Sequence, residues 1–119
     1  MIKYSIMQLT KKEFEKIVYQ KFNKLPKQIL KNIENLEIFV EEHPPNPDLL
    51  GFYHGVPFPY RKSATYSLIM PDKIVLFKTT IEKRCTTKKE IEDKIEKVLF
   101  HEIAHYLGLD EKGVSKLKL

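Results

Sequence analysis

The sequence contains one cysteine, Cys85, and no tryptophan among its 119 residues. A single cysteine excludes an internal disulfide, and with it the small secreted domains that disulfides stabilise. No stretch approaches the roughly 18 consecutive apolar residues that a transmembrane helix needs. The N-terminus lacks the basic start, apolar segment and small-residue cleavage site of a signal peptide. From these absences we expect a soluble cytoplasmic protein that makes no membrane contact.

Charge of neither sign is concentrated in one block. There are 21 Lys and Arg against 16 Asp and Glu, a net charge of +5. Because both signs are interspersed, this excess favours nucleic acid or another acidic partner only weakly. The 119 residues, of which 42% are hydrophobic, suffice for one hydrophobic core but not for two. We therefore expect one domain over residues 1–119.

Two helices are predicted near the N-terminus. Thr10 and Glu13 have the spacing of a capping box, and apolar residues follow at helical intervals, which predicts a helix over residues 11–23. Pro26 suits the first turn of a second helix, and the apolar pattern carries that helix to residue 35.

Short apolar runs after these helices predict a small sheet. The first two runs are separated by a proline-rich loop at residues 43–48. Glycines and prolines confine the second run to a sheet edge, where an extended peptide can pair with it. Pro71, Asp72 and Lys73 have the composition of a turn and separate the last two runs. The predicted strands are residues 36–40, 49–56, 66–70 and 74–77.

A long helix closes the predicted chain order. Thr87 and Glu90 form a second capping-box pair, and apolar residues then recur at 3.6-residue spacing over residues 88–107. Gly108 follows and suits the left-handed residue that often ends a helix.

The last two turns of that helix lie in the segment FHEIAHYLGLDE, residues 100–111. Residues four apart on a helix lie one above the other, so His101 and His105 present their imidazoles to one point, as a zinc ion bound at about 2.0–2.1 Å requires. Glu102 lies beside that point, where its carboxylate can take a proton from a metal-activated water. The pattern predicts a Zn²⁺ site with Glu102 as the general base. The competing interpretation is an ordinary surface helix whose histidines bind nothing.

A catalytic zinc site usually has a third protein ligand. If Gly108 turns the chain back at the end of the helix, Glu111 is placed near the metal, and it is the third ligand that we prefer. Asp110 is the alternative third ligand, or it hydrogen-bonds a ligating histidine instead.

The segments LLGFYHGVPF, MPDKIVLFKTTI and HEIAHYLGLDE together resemble the small bacterial zincin-like metallopeptidases, over about residues 44–112. The resemblance implies an α+β domain whose metal helix packs on a small mixed sheet. It also implies zinc on His101, His105 and the acidic residue six positions later, with Glu102 as the base. The sequence departs from that family at two positions: Glu111 stands where Asp is usual, and His54 where an acidic residue is expected.

The substrate implied by this resemblance is a peptide or protein laid along the edge strand, with Tyr53 and His54 as candidate contacts. Two other functions fit parts of the sequence. The histidine segment also resembles that of a bacterial endoribonuclease family that processes ribosomal RNA, and the basic net charge fits an RNA substrate. That family has histidine where Glu111 stands. The non-enzymatic alternative is a domain that recognises a partner through residues 52–60, with or without a bound metal.

Overall fold

The computed structural model describes residues 7–55, 71–109 and Lys112. Within these ranges, four helices and three strands form the α+β fold expected from the sequence. In chain order the elements are α1 (Lys11–Asn23), α2 (Lys27–Leu30), β1 (Leu36–Glu41), β2 (Gly51–His54), β3 (Asp72–Phe77), α3 (Lys78–Glu82) and α4 (Lys88–Tyr106). No helix among the described residues is long and apolar enough to cross a membrane.

Helix α1 begins at the predicted capping box. The Glu13 backbone N–H donates to Thr10 Oγ1 at 3.1 Å, and the Thr10 N–H donates to the Glu13 carboxylate at 2.8 Å. These bonds satisfy backbone donors that have no partner within the helix. The hydrogen bond from the Thr10 backbone also holds the pKa of Glu13 below its usual value. The predicted bounds of residues 11–23 are confirmed.

Helix α2 is shorter than predicted, because it ends at Leu30 instead of residue 35. The backbone bonds that follow are the tighter three-residue kind, from Asn32 to Ile29 and from Ile33 to Leu30. Asn35 then has a left-handed φ of 54°, which asparagine tolerates better than most residues. This turn directs the chain into β1. The apolar pattern of α2 does not indicate where that turn must fall, because its position depends on the sheet.

The three strands form one mixed sheet in the order β1-β3-β2. Strand β1 runs parallel to β3, with Leu36 opposite Asp72 and Glu41 opposite Phe77. Strand β2 runs antiparallel to β3, with Gly51 opposite Leu76. Strand β2 therefore lies at one edge of the described sheet, as predicted.

The strand bounds correct the sequence interpretation in two places. Within the predicted run 49–56, only Gly51–His54 is strand, because residues 49–50 are irregular and Val56 lies outside the described residues. The predicted turn at residues 71–73 is wrong, because Asp72 and Lys73 are the first residues of β3. The predicted strand 66–70 also lies outside the described residues.

Helix α3 follows β3 without a loop and was not predicted. Its Lys78 and Glu82 form a buried ion pair at 3.1 Å, one turn apart on the helix. The other Glu82 oxygen accepts the backbone N–H of Leu9 at 2.9 Å. A buried charge is retained only when it is paired and hydrogen-bonded in this way, so this carboxylate fixes the chain before α1 against α3.

Helix α4 packs one face on the sheet and another on α1. Its apolar residues repeat at helical spacing, and Ile91, Ile95 and Leu99 are fully buried. An ion pair of 3.1 Å joins Lys21 of α1 to Glu96 of α4. The predicted helix 88–107 is confirmed to within one residue at its end. Its last turns stand beside β2, and this places the candidate site.

Candidate metal centre

The imidazoles of His101 and His105 converge at the C-terminal end of α4. Their Nε2 atoms are 3.3 Å apart, and the ring planes are inclined by 76°. Two nitrogens bound to one tetrahedral zinc ion at about 2.0–2.1 Å are separated by about 3.3 Å. The two side chains therefore already have the spacing that two histidine ligands of one zinc ion require.

The end of the helix determines which nitrogen of His105 carries a proton. Its Nδ1 lies 2.8 Å from the backbone carbonyl oxygen of Leu109. A carbonyl oxygen only accepts, so Nδ1 must donate, and in the neutral ring the Nε2 lone pair is then available to a metal. Histidine ligands in metal sites commonly have this arrangement, with the second nitrogen donating to a carbonyl or carboxylate.

Gly108 creates the turn that brings the Leu109 carbonyl to the ring. Its φ is 98°, in the left-handed region that glycine adopts without steric cost. The Gly108 N–H donates to the His105 carbonyl at 2.9 Å and the Leu109 N–H to the Ala104 carbonyl at 3.0 Å. This pair of bonds is the Schellman motif. The helix-ending role predicted for Gly108 is confirmed.

The third ligand remains a prediction. Both candidates, Asp110 and Glu111, lie outside the described residues. Within the described ranges, no group of three or more His, Cys, Asp or Glu side chains is arranged to hold a metal ion. The spacing and the donor type of the two histidines thus fit zinc.

Glu102 is buried, with 8% of its surface exposed, and it lines an open cleft with both histidines. The cleft has a volume of about 460 Å³. One wall is α4 and the other is the segment that leads into β2. The lining residues are Leu49, Leu50, Gly51, Lys94, Lys97, Val98, His101, Glu102 and His105.

Gly51 lets β2 approach the site helix closely. A Cβ atom at this position would lie 2.7 Å from Val98 Cγ1 and 3.4 Å from Glu102 Cγ. Real Cβ atoms essentially never have contacts under 3.0 Å, so any larger residue would push the strand and the helix apart. Strand β2 thus packs against the same helical turn that carries the candidate base.

Asp72 is a buried carboxylate whose structural role the sequence interpretation missed. It is 1% exposed, and the Tyr53 hydroxyl donates to its Oδ2 at 2.5 Å. Gly55 leaves room for this carboxylate, because a Cβ at Gly55 would overlap the Asp72 side chain. The signal was present in two strings, Gly-x-Tyr-x-Gly and Pro-Asp, whose roles appear only when β2 pairs with β3.

Tyr53 and His54, the predicted substrate contacts, point in different directions. Tyr53 faces inward, with its ring 6.1 Å from that of Tyr106 in an edge contact. His54 is exposed and stacks on Phe52 at 6.1 Å. Neither is among the described residues that line the cleft, and their contact with substrate stays a prediction. Of the proposed partner segment 52–60, only the part up to Gly55 is described.

Tyr106 anchors the C-terminal end of α4 in the core. It is fully buried, and its hydroxyl donates to the Glu34 carbonyl at 2.9 Å and accepts from the Glu34 N–H at 3.1 Å. A buried phenol that makes two such bonds fixes the position of its backbone. The end of the helix that carries the two histidines is therefore tied to the chain that enters β1.

The site helix carries two converging histidines with a buried glutamate between them, and it packs beside an edge strand of a mixed sheet. These features are typical of the zincin class of metallopeptidase fold. A family model described as zincin-like metallopeptidase matches residues 33–119. The chain belongs to this family, and the resemblance drawn from its motifs is confirmed.

Comparison with solved structures supports the fold. A conserved hypothetical protein from Thermo thermophilus superimposes with a TM-score of 0.58, at 20% identity, over 82% of this chain and 94% of that one. At this level of identity the likeness concerns the fold alone. A comparison with curated protein sequences gives no significant match.

Proposed function

We propose that this protein is a zinc-dependent peptidase. The observation that carries the proposal is the 3.3 Å approach of the His101 and His105 Nε2 atoms, with the His105 Nδ1 proton directed to a backbone carbonyl. Family membership supports zinc and hydrolase chemistry at the level of the class. Peptide-bond hydrolysis and a peptide substrate are what we propose beyond that class.

Three residues would hold the metal: His101, His105 and either Glu111 or Asp110. When bound, zinc acidifies water and polarises a carbonyl group. Glu102 borders the same cleft, from where its carboxylate takes the proton of the attacking water and later gives it to the leaving amine. The turn at Gly108 keeps the His105 ring in place throughout.

The geometry favours an extended peptide as the substrate. Strand β2 lies at the edge of the described sheet, and its first residue, Gly51, borders the cleft. An extended chain can add to such an edge through backbone hydrogen bonds. A peptide in that position runs across the histidines and brings a carbonyl group to Glu102.

Metal analysis of purified protein tests the site. We expect about one zinc per chain, as for one catalytic site, and loss of zinc in His101→Ala and His105→Ala. Zinc loss in Glu111→Ala but not in Asp110→Ala would assign the third ligand to Glu111, and the reverse would assign it to Asp110. His43→Ala, an exposed histidine outside the cleft, is the matched control and should retain zinc. Equal zinc in all variants would remove the proposed site.

Cleavage of a peptide library tests the chemistry. We expect Glu102→Gln to retain zinc and to lose roughly 10²- to 10⁴-fold in turnover, the usual contribution of a positioned proton acceptor. Gln keeps the size of the side chain and removes its negative charge and its basicity. Undiminished turnover in this zinc-loaded variant would show that Glu102 is not the base.

A further inference from the structure

Two lysines lie on the cleft-facing side of α4, on the N-terminal side of the histidines. Lys94 and Lys97 line the cleft together with Val98 and His101. Positions three, four and seven residues apart share one face of a helix, so the side chains extend the wall that begins at the candidate metal position. The proposed chemistry uses neither lysine.

Neither lysine has an acidic partner among the described residues. The ion pairs of α4 in those ranges join Lys89 to Asp93 and Lys21 to Glu96. Within the part of the chain that the structure describes, Lys94 and Lys97 form no ion pair, and Glu102 is the only carboxylate that lines the cleft. The cleft therefore offers two ammonium groups to a ligand.

The helix rise gives the axial separation of the two lysine backbone positions from that of His101. Lys97 precedes His101 by four residues and Lys94 by seven, which at about 1.5 Å per residue places them roughly 6 and 10 Å along the axis. An extended peptide advances about 3.3 Å per residue. For a peptide that runs parallel to α4, the side chains two and three residues from the scissile bond come level with the lysines.

A peptide suits the remaining walls better than a nucleic acid does. The wall opposite the lysines is formed by Leu49, Leu50 and Gly51 at the entrance to β2, which suits side chains and an extended backbone. Single-stranded nucleic acids are usually held by aromatic side chains that stack on the bases. No phenylalanine, tyrosine or tryptophan is among the described residues that line this cleft, and its two histidines are the proposed zinc ligands.

We infer that this cleft selects peptides that carry a glutamate or aspartate side chain two or three residues from the scissile bond. Lys94 and Lys97 bind that carboxylate. This inference rests on the proposed peptidase function and adds the substrate class to it. Charge-assisted hydrogen bonds of this kind are among the stronger hydrogen bonds in proteins. Here they determine which peptide binds and take no part in proton transfer.

Peptide binding to the zinc-loaded Glu102→Gln variant tests the inference without relying on turnover. The probes are alanine-based nonapeptides with glutamate, glutamine or lysine two and three residues from the central bond, on either side. We expect the glutamate peptide to bind about tenfold more tightly than the glutamine peptide, the effect of a few partly exposed charge contacts. Added salt should reduce this difference.

Adding Lys94→Gln and Lys97→Gln should abolish the preference for the glutamate peptide. The charge-reversing pair Lys94→Glu and Lys97→Glu should shift the preference to the lysine peptide. The matched control adds Lys12→Gln and Lys16→Gln, two exposed lysines of α1, which change the net charge equally. It should keep the preference. A reversal of selectivity cannot come from a general loss of stability, because that would weaken all three peptides alike.

The outcomes separate this inference from the proposed function. Selective binding of the glutamate peptide without any cleavage by the parent protein would support carboxylate binding by Lys94 and Lys97 and refute the peptidase. Cleavage without preference for glutamate would do the opposite. A single-stranded RNA oligonucleotide that bound more tightly than the glutamate peptide, and lost its affinity in the double lysine variant, would assign the lysines to phosphate and overturn the inference.

Discussion

Replacing Gly51 by alanine tests the close packing of β2 on the site helix. The added methyl would lie 2.7 Å from Val98 Cγ1 and 3.3 Å from the Val75 carbonyl oxygen. Valine in a helix has one strongly preferred rotamer, so Val98 cannot easily turn away, and the Val75 backbone is held in β3. The strand and the helix must therefore separate by several tenths of an ångström.

Overpacking of this kind costs about 1–3 kcal/mol. For a chain of 119 residues, an unfolding entropy of about 2.1 cal/mol/K per residue converts this cost into a fall in Tm of roughly 4–12 °C. Turnover should fall as well, because separating β2 from α4 shifts Glu102, whose Cγ lies 3.4 Å from the added methyl. Zinc content should be nearly unchanged, since neither histidine contributes any of the three atoms nearest to the methyl.

Thermal and chemical denaturation, metal analysis and peptide cleavage measure the three effects. The rescue variant combines Gly51→Ala with Val98→Ala, which removes the atom that the methyl strikes. We expect the double variant to be more stable than the two single effects added together predict. The reasoning fails if Gly51→Ala unfolds at the parent Tm, or if Val98→Ala adds its full cost in the double variant.

Three further predictions concern the surroundings of the site and the start of its helix. Tyr53→Phe removes the hydrogen bond to buried Asp72 and should lower the free energy of unfolding by about 1–3 kcal/mol in urea denaturation; no loss would mean that this bond is not structural. Gly108→Ala forces alanine to a φ of 98°, so we expect about 1–2 kcal/mol of destabilisation and weaker zinc binding in a competition titration, whereas unchanged zinc affinity would uncouple the turn from the metal. The Thr86 backbone N–H holds the pKa of Glu90 below 4.5, so the stabilisation by this carboxylate is present above that pH and is lost as the pH falls through the folded-state pKa. The Tm difference between Glu90→Ala and the parent should therefore vanish in acid, and a constant difference would contradict this origin.

Local signals were sufficient for the long helices and for the two histidines. The capping residues Thr10 and Thr87 fix the starts of α1 and α4 through bonds to backbone groups three residues away. The convergence of His101 and His105 follows from four-residue spacing on one helix. Each of these features depends on interactions within about one helical turn, which the order of residues contains directly.

Features that depend on distant partners were not predictable in the same way. Asp72 follows a proline, and its composition favours a turn, but pairing with β1 and the Tyr53 hydroxyl 19 residues away make it a buried strand residue. Helix α2 similarly ends early because Asn35 must turn the chain toward the sheet. The lysines of the cleft acquire significance only when Leu49 and Leu50 close the opposite wall.

Gly108 has no side chain, yet it determines the tautomer of a histidine ring. By turning the chain so that the Leu109 carbonyl faces Nδ1, it decides on which side of the His105 ring the proton resides. The three-residue interval from the second histidine to this glycine is thus a chemical requirement comparable to the four-residue interval between the histidines. A search for such sites should weigh both intervals.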